Sequence, residues 1–94
     1  MKVKVAADVQ RFTDIPNVGP AIEADFKKIG IQAPNGLKGQ DALVLYKRLC
    51  RKTNSRQDPC VLDTFMAAID FMNGAKATPW WSYTKLRKSQ YPDL

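Results

Sequence analysis

The stretch Ile15-Pro16-Asn17-Val18-Gly19-Pro20-Ala21-Ile22 holds the residues with the clearest capacity for chemistry, and that chemistry is anion binding by main-chain amides. Pro16 fixes φ and lacks an N–H, so it closes the segment before it, while Asn17 and Gly19 tolerate the positive φ of a tight bend. Val18, between them, can turn inward as an apolar plug. Pro20 suits the first position of a helix, where a missing N–H costs nothing. The amides of Gly19, Ala21 and Ile22 then gather at a helix N-terminus, where unpaired donors and the positive end of the dipole favour a phosphate oxygen. The apolar spacing Ile22, Phe26, Ile29 predicts an amphipathic helix closed by Gly30, and Lys27 and Lys28 on it add charge indifferent to base sequence.

Further cations are clustered. Lys47, Arg48, Arg51, Lys52 and Arg56 fall within ten residues, and four-residue spacing aligns Lys47 with Arg51 and Arg48 with Lys52 on one helix surface. Such a surface can follow a phosphate backbone beside the bend, or it can be an ordinary solvated face. Lys85, Arg87 and Lys88 form a second cluster. The net charge of +6, from fifteen Lys and Arg against nine Asp and Glu, favours a polyanionic partner.

Catalytic chemistry is poorly supplied. The chain has no histidine, so Cys60 lacks the usual base for a cysteine nucleophile even though its place near a helix start can lower a thiol pKa. A packed structural thiol is the expected role, and Cys50 is the other cysteine. Two cysteines without histidine do not make a zinc site. Asp63 and Asp70 lie seven apart on a helix, with Cα atoms roughly 10 Å apart, which suits pairing with Arg or Lys of a neighbouring helix better than a shared pocket. No enzyme, metal or cofactor is expected.

One domain spanning 1–94, with loose ends at 1–4 and 89–94, follows from 94 residues that are 45% hydrophobic. The pattern predicts an all-α bundle of about five helices. A first helix runs from Val5 to Phe12 with Val5, Val9 and Phe12 inward; the bend's own helix follows. Gly39 opens a weaker turn, Asp41 caps a helix through Leu43, Tyr46, Leu49 and Cys50, and Asp58-Pro59 starts one whose stripe is Val61, Leu62, Phe65, Met66, Ile69 and Met72. Thr78-Pro79 begins a short last helix carrying Trp80, Tyr83, Thr84 and Arg87. Trp80 is expected to dock that end on the core, while Trp81 can stack on a base or a partner. Apolar runs of five residues, Ala42 to Tyr46 and Phe65 to Ile69, are far too short for a membrane span, and a cytoplasmic location is expected.

Pro16, Val18, Gly19, Ala24 and Phe26 resemble the helix-hairpin-helix DNA-binding motif of SAM-like domains, with Asn17 standing where that motif usually has its first Gly. The resemblance implies contact with duplex DNA without sequence preference, Gly19 and Ala21 on phosphate, and sometimes a monovalent cation on the hairpin carbonyls. The phrases Asp58-Pro59-Cys60-Val61-Leu62-Asp63, Phe65-Met66-Ala67-Ala68 and Pro79-Trp80-Trp81 widen the likeness. From Phe12 to about Arg87 the chain resembles the bacterial pathogenicity-locus helix-hairpin-helix family, some members of which are labelled mitomycin resistance proteins. The hairpin half is similar to the C-terminal domain of the competence regulator TfoX. These resemblances imply an all-helical DNA-binding domain, monomeric or weakly dimeric, linked to DNA damage. The alternative expectation is a protein-interaction module that uses the hairpin and the aromatic tail.

Overall fold

A computed structural model describes residues 2–94. Four α-helices form the domain: α1 (Pro20–Lys28), α2 (Ala42–Thr53), α3 (Pro59–Met72) and α4 (Thr84–Gln90). Short 3-10 turns lie at Ala6–Asp8, Phe12–Asp14, Pro34–Leu37 and Trp80–Tyr83, and no strand occurs among the described residues.

The core is organised around α3, whose residues Leu62 to Ile69 are all buried, with Phe71 and Met72 beyond them. Asp58 caps this helix by accepting from the Cys60 amide at 2.8 Å, and Pro59 occupies its first position. Asp41 caps α2 by accepting from the Val44 amide at 3.1 Å. Leu45, Tyr46 and Leu49 are the buried residues of α2, so Leu45 joins the expected inward set while Leu43 and Cys50 are only half-buried.

The expected helix from Val5 to Phe12 is not α-helical; two separate 3-10 turns and extended residues stand in its place. Two causes are visible. Val3, Val5 and Val9 are β-branched, and the Asp14 carboxylate accepts the amides of Gln10 at 3.0 Å and Arg11 at 3.1 Å, donors that a helix would have used. Phe12 is buried, Val9 half-buried and Val5 exposed. The end expected to be loose over 1–4 is held at two points: the Val3 amide donates to Asp14 O at 3.0 Å, and Lys2 reaches the bend. Met1 lies outside the described residues.

Asp63, on the face of α3 opposite the predicted stripe, is fully buried because the tail covers it. Arg87 of α4 donates through Nε to Asp63 at 2.9 Å and through Nη2 at 3.4 Å, and Thr84 donates its hydroxyl at 2.7 Å. Asp63 thus has the expected cationic partner, and Arg87 is lost to the surface cluster with Lys85 and Lys88. Removing one partner strands the other's charge in the core, so Arg87→Ala should cost roughly 3–5 kcal/mol of unfolding free energy. Replacing both together, Asp63→Leu with Arg87→Met, should recover most of that in urea titrations; if the double variant is no more stable than the single one, the pair holds no uncompensated charge.

Candidate nucleic-acid interface

The bend is fixed to the core by its aromatic and aliphatic residues. Phe12 stacks on Phe26 with ring centroids 5.5 Å apart, and Phe26 stacks on Phe65 of α3 at 4.7 Å. Ile15 and Val18 are fully buried, so Val18 is the inward plug its place implied. Pro16 is half-buried and enters the turn, and Asn17 sits in the left-handed region with φ 72°. Asn17 does more than tolerate that φ. Its Nδ2 donates to Thr78 O at 2.8 Å, a contact no Gly can make, which ties the bend to the chain leading into Trp80 and Trp81.

Gly19 is the N-cap of α1 with φ −104° and ψ −174°, an extended conformation open to any residue. A Cβ built there would meet no heavy atom within 4 Å, so neither the backbone nor the neighbours require glycine. No side chain caps α1, in contrast to α2 and α3. Among the described residues no acceptor is bonded to the amides of Gly19, Ala21 or Ile22. Ala21 is exposed, and Ile22 is half-buried with its side chain against the core. The acidic residue of the first turn, Glu23, is paired with Lys27 at 3.3 Å.

Three carbonyls at the bend are bonded by one side chain. Lys2 Nζ donates to Thr13 O at 2.9 Å, to Ile15 O at 3.0 Å and to Val18 O. An ammonium has three donors, and here all three are used. The Thr13, Ile15 and Val18 carbonyls are therefore served by the protein's own ammonium. Partial burial works to lower the Lys2 pKa and the Asp14 carboxylate works to raise it.

The cations divide into two sets. Lys27 and Lys28, exposed near the far end of α1, are paired with Glu23 at 3.3 Å and with Asp25 at 3.9 Å. Arg48 donates through Nη1 to Ile29 O at 3.2 Å and so caps the C-terminal end of α1. That bond sets the α2 cations beside the end of α1 remote from the bend, about 13 Å away for nine helical residues. Lys47, Arg51 and Lys52 are exposed. Lys47, Arg51 and Arg56 border a shallow groove of ≈ 530 Å³ along α2. Of this cluster, Arg48 is thus anchored at the end of α1 away from the bend.

Cys60 is exposed instead of packed, and its thiol is raised above the ordinary value, first by the hydrogen bond with Asp58 and then by burial. The helix start therefore does not activate it. Cys50 is free and half-buried. Among the described residues no group of three His, Cys, Asp or Glu side chains could hold a metal ion, and no helix is long and apolar enough to cross a membrane. Sequence reasoning missed Lys2, Asp14 and Thr78. Lys2 and Asp14 act on main-chain groups and Thr78 through its own carbonyl, so no residue pattern announces them.

The fold and the site define a small all-α domain that presents uncapped helix amides at a braced bend. The chain belongs to the pathogenicity locus family, whose model matches residues 5–89. It is similar to the "Mitomycin resistance protein McrB" of Streptomyces lavendulae, with 40% identity over 83 residues, 88% of this chain and 79% of that protein. No solved structure matches.

Two outcomes test the brace. Lys2→Met leaves Thr13 O and Val18 O without that donor, Ile15 O keeping the Val18 amide, and should lower stability by about 1–2 kcal/mol, with faster hydrogen exchange at the Val18 amide; an unchanged urea midpoint would remove Lys2 from the bend's support. Asp14 is held below its ordinary 3.8 by the two amides it accepts, Gln10 first and Arg11 second. The unfolded chain therefore takes up that proton first, and the stability Asp14 supplies is complete above 3.8 and lost as pH falls through the folded value. The stability gap between the parent chain and Asp14→Ala should narrow as pH drops below 4, as followed by circular dichroism.

Proposed function

We propose that this domain binds nucleic acid, duplex DNA in the first instance, without reading base sequence. The bend serves as the hairpin of a helix-hairpin-helix element of the SAM-like kind, its entering arm reduced to the 3-10 turn Phe12–Asp14. The observation that carries this reading is the uncapped start of α1 behind a glycine for which neither backbone nor packing has a need. Open amides at a helix start, with the local acid already paired, suit a phosphate oxygen. Lys47, Arg51 and Lys52 supply a second contact along the strand, while Arg48 is better counted as a support for α1. Neither patch has the Asn, Gln and Arg array of a base-reading helix, so affinity is expected to be electrostatic and uniform across sequences. The name of the Streptomyces relative supports linking this binding to DNA damage and resistance to it.

Two variants test the assignment. Gly19→Val should abolish binding of a fluorescein-labelled 20-base-pair duplex while leaving the thermal midpoint unchanged, because the added side chain meets open space. Arg51→Glu with Lys52→Glu should weaken binding to every sequence alike and flatten the dependence of log affinity on log salt concentration. If Gly19→Val binds as the parent does, the bend is a connector; if affinity is indifferent to salt, the contact is not with phosphate.

A further inference from the structure

Trp81 is 64% exposed, while Phe12, Phe26, Phe65, Phe71 and Tyr46 are buried and the other aromatic side chains are half-buried. Exposure on this scale is costly in water for an indole, and here the ring is not loose. Trp80 is half-buried and meets it edge to face, at 5.8 Å between centroids and 83° between planes. That geometry fixes the orientation of Trp81 and leaves at least one face of its ring to solvent.

The surroundings say what can cover it. From Gly74 to Pro92 the chain has no acidic residue, and Lys76, Lys85 and Lys88 are exposed with no ionic partner among the described residues. Arg87, the other cation there, is neutralised by Asp63. Lys85 and Lys88 follow Trp81 by four and seven residues along the Trp80–Tyr83 turn and α4, and an exposed ring with cations at that spacing suits a ligand that is itself a flat ring beside a negative charge. The Asn17–Thr78 hydrogen bond then joins this surface to the bend. Trp81 is the third residue after Thr78, so its Cα lies within about 11 Å of the residue bonded to Asn17.

We propose that Trp81 stacks on an unpaired nucleobase next to the strand whose phosphate lies at the bend, so that the favoured ligand is a duplex with a single-stranded extension. A base inside a duplex has both faces taken by its neighbours, whereas a base beyond the last pair can offer one to an indole. Lys76, Lys85 and Lys88 hold the phosphates on either side of that base. The inference rests on the phosphate-binding reading of the bend and adds the structure of the nucleic acid to it.

The test compares a blunt 20-base-pair duplex with the same duplex carrying a four-thymidine 3′ or 5′ extension, by fluorescence anisotropy and quenching of tryptophan emission. The parent chain should bind one extended form more tightly than the blunt one, by roughly 5- to 100-fold, the worth of one stacked base. Trp81→Ala should lose that preference and keep the blunt-duplex affinity, whereas Trp81→Phe should retain part of it. Gly19→Val should lose affinity for both probes. Equal affinity of the parent for blunt and extended probes, or a preference that survives Trp81→Ala, overturns the stacking role while leaving the bend's role intact. Loss of a dimer in Trp81→Ala by sedimentation, with probe preference unchanged, would assign the ring to self-association. Failure of the parent to bind either probe at low salt overturns the phosphate reading itself.

Discussion

The stacking of Phe12 and Phe26 on Phe65 is the constraint from which the shape of the bend follows. It joins the arm before the bend, the helix after it and the central helix in one aromatic column. With both arms so held, and with Ile15 and Val18 sunk beneath them, the main chain between has little freedom left. On this framework the Thr13, Ile15 and Val18 carbonyls receive the Lys2 ammonium, while the amides of Gly19, Ala21 and Ile22 meet no acceptor among the described residues.

Polar groups near this column are arranged with few loose ends. Among the described residues no buried side-chain nitrogen or oxygen lacks a partner. Asp63 receives Arg87 and Thr84, and Tyr46 donates to Gln57 O across the turn after α2. Burial first, and the Asp70 carboxylate second, push the Tyr83 phenol up to about 12, so this group stays neutral throughout the physiological range. Against that background the amides at the start of α1 stand out, since no side chain caps them while Asp41 and Asp58 cap α2 and α3.

Much of the helical framework was legible in the sequence because helix signals are local. Asp41, Asp58, Pro20, Pro59 and Gly30 each act within one turn, and each sits at the helix end it marks. The stripe of α3 was readable too, although its breadth was not: periodicity distinguishes an inner from an outer face, and here α4 covers what would have been the outer one. The failures lie in side-chain contacts that periodicity does not register, some local and some distant. Val5 to Phe12 reads as amphipathic, yet Asp14 and Lys2 draw its neighbours into a different set of bonds. The cations of α2 looked like one patch with the bend, and only the Arg48 contact with Ile29 reveals that α1 stands between them. Asn17, a departure from the motif's glycine, makes sense once its partner 61 residues away is known.

That separation has a kinetic meaning. A bond between positions so far apart in sequence forms only after the intervening helices have found one another, because the closure of a long loop must be offset by contacts already made. The clasp joins the bend to the connection between α3 and α4, whose residues Asn73 to Ala77 are exposed yet tied at Asn73, which accepts the Gly39 amide, and at Ala75, which donates to Asp70 O. Opening of the Asn17–Thr78 bond would therefore loosen the bend without freeing the tail, which Arg87 and Thr84 hold on α3 through Asp63.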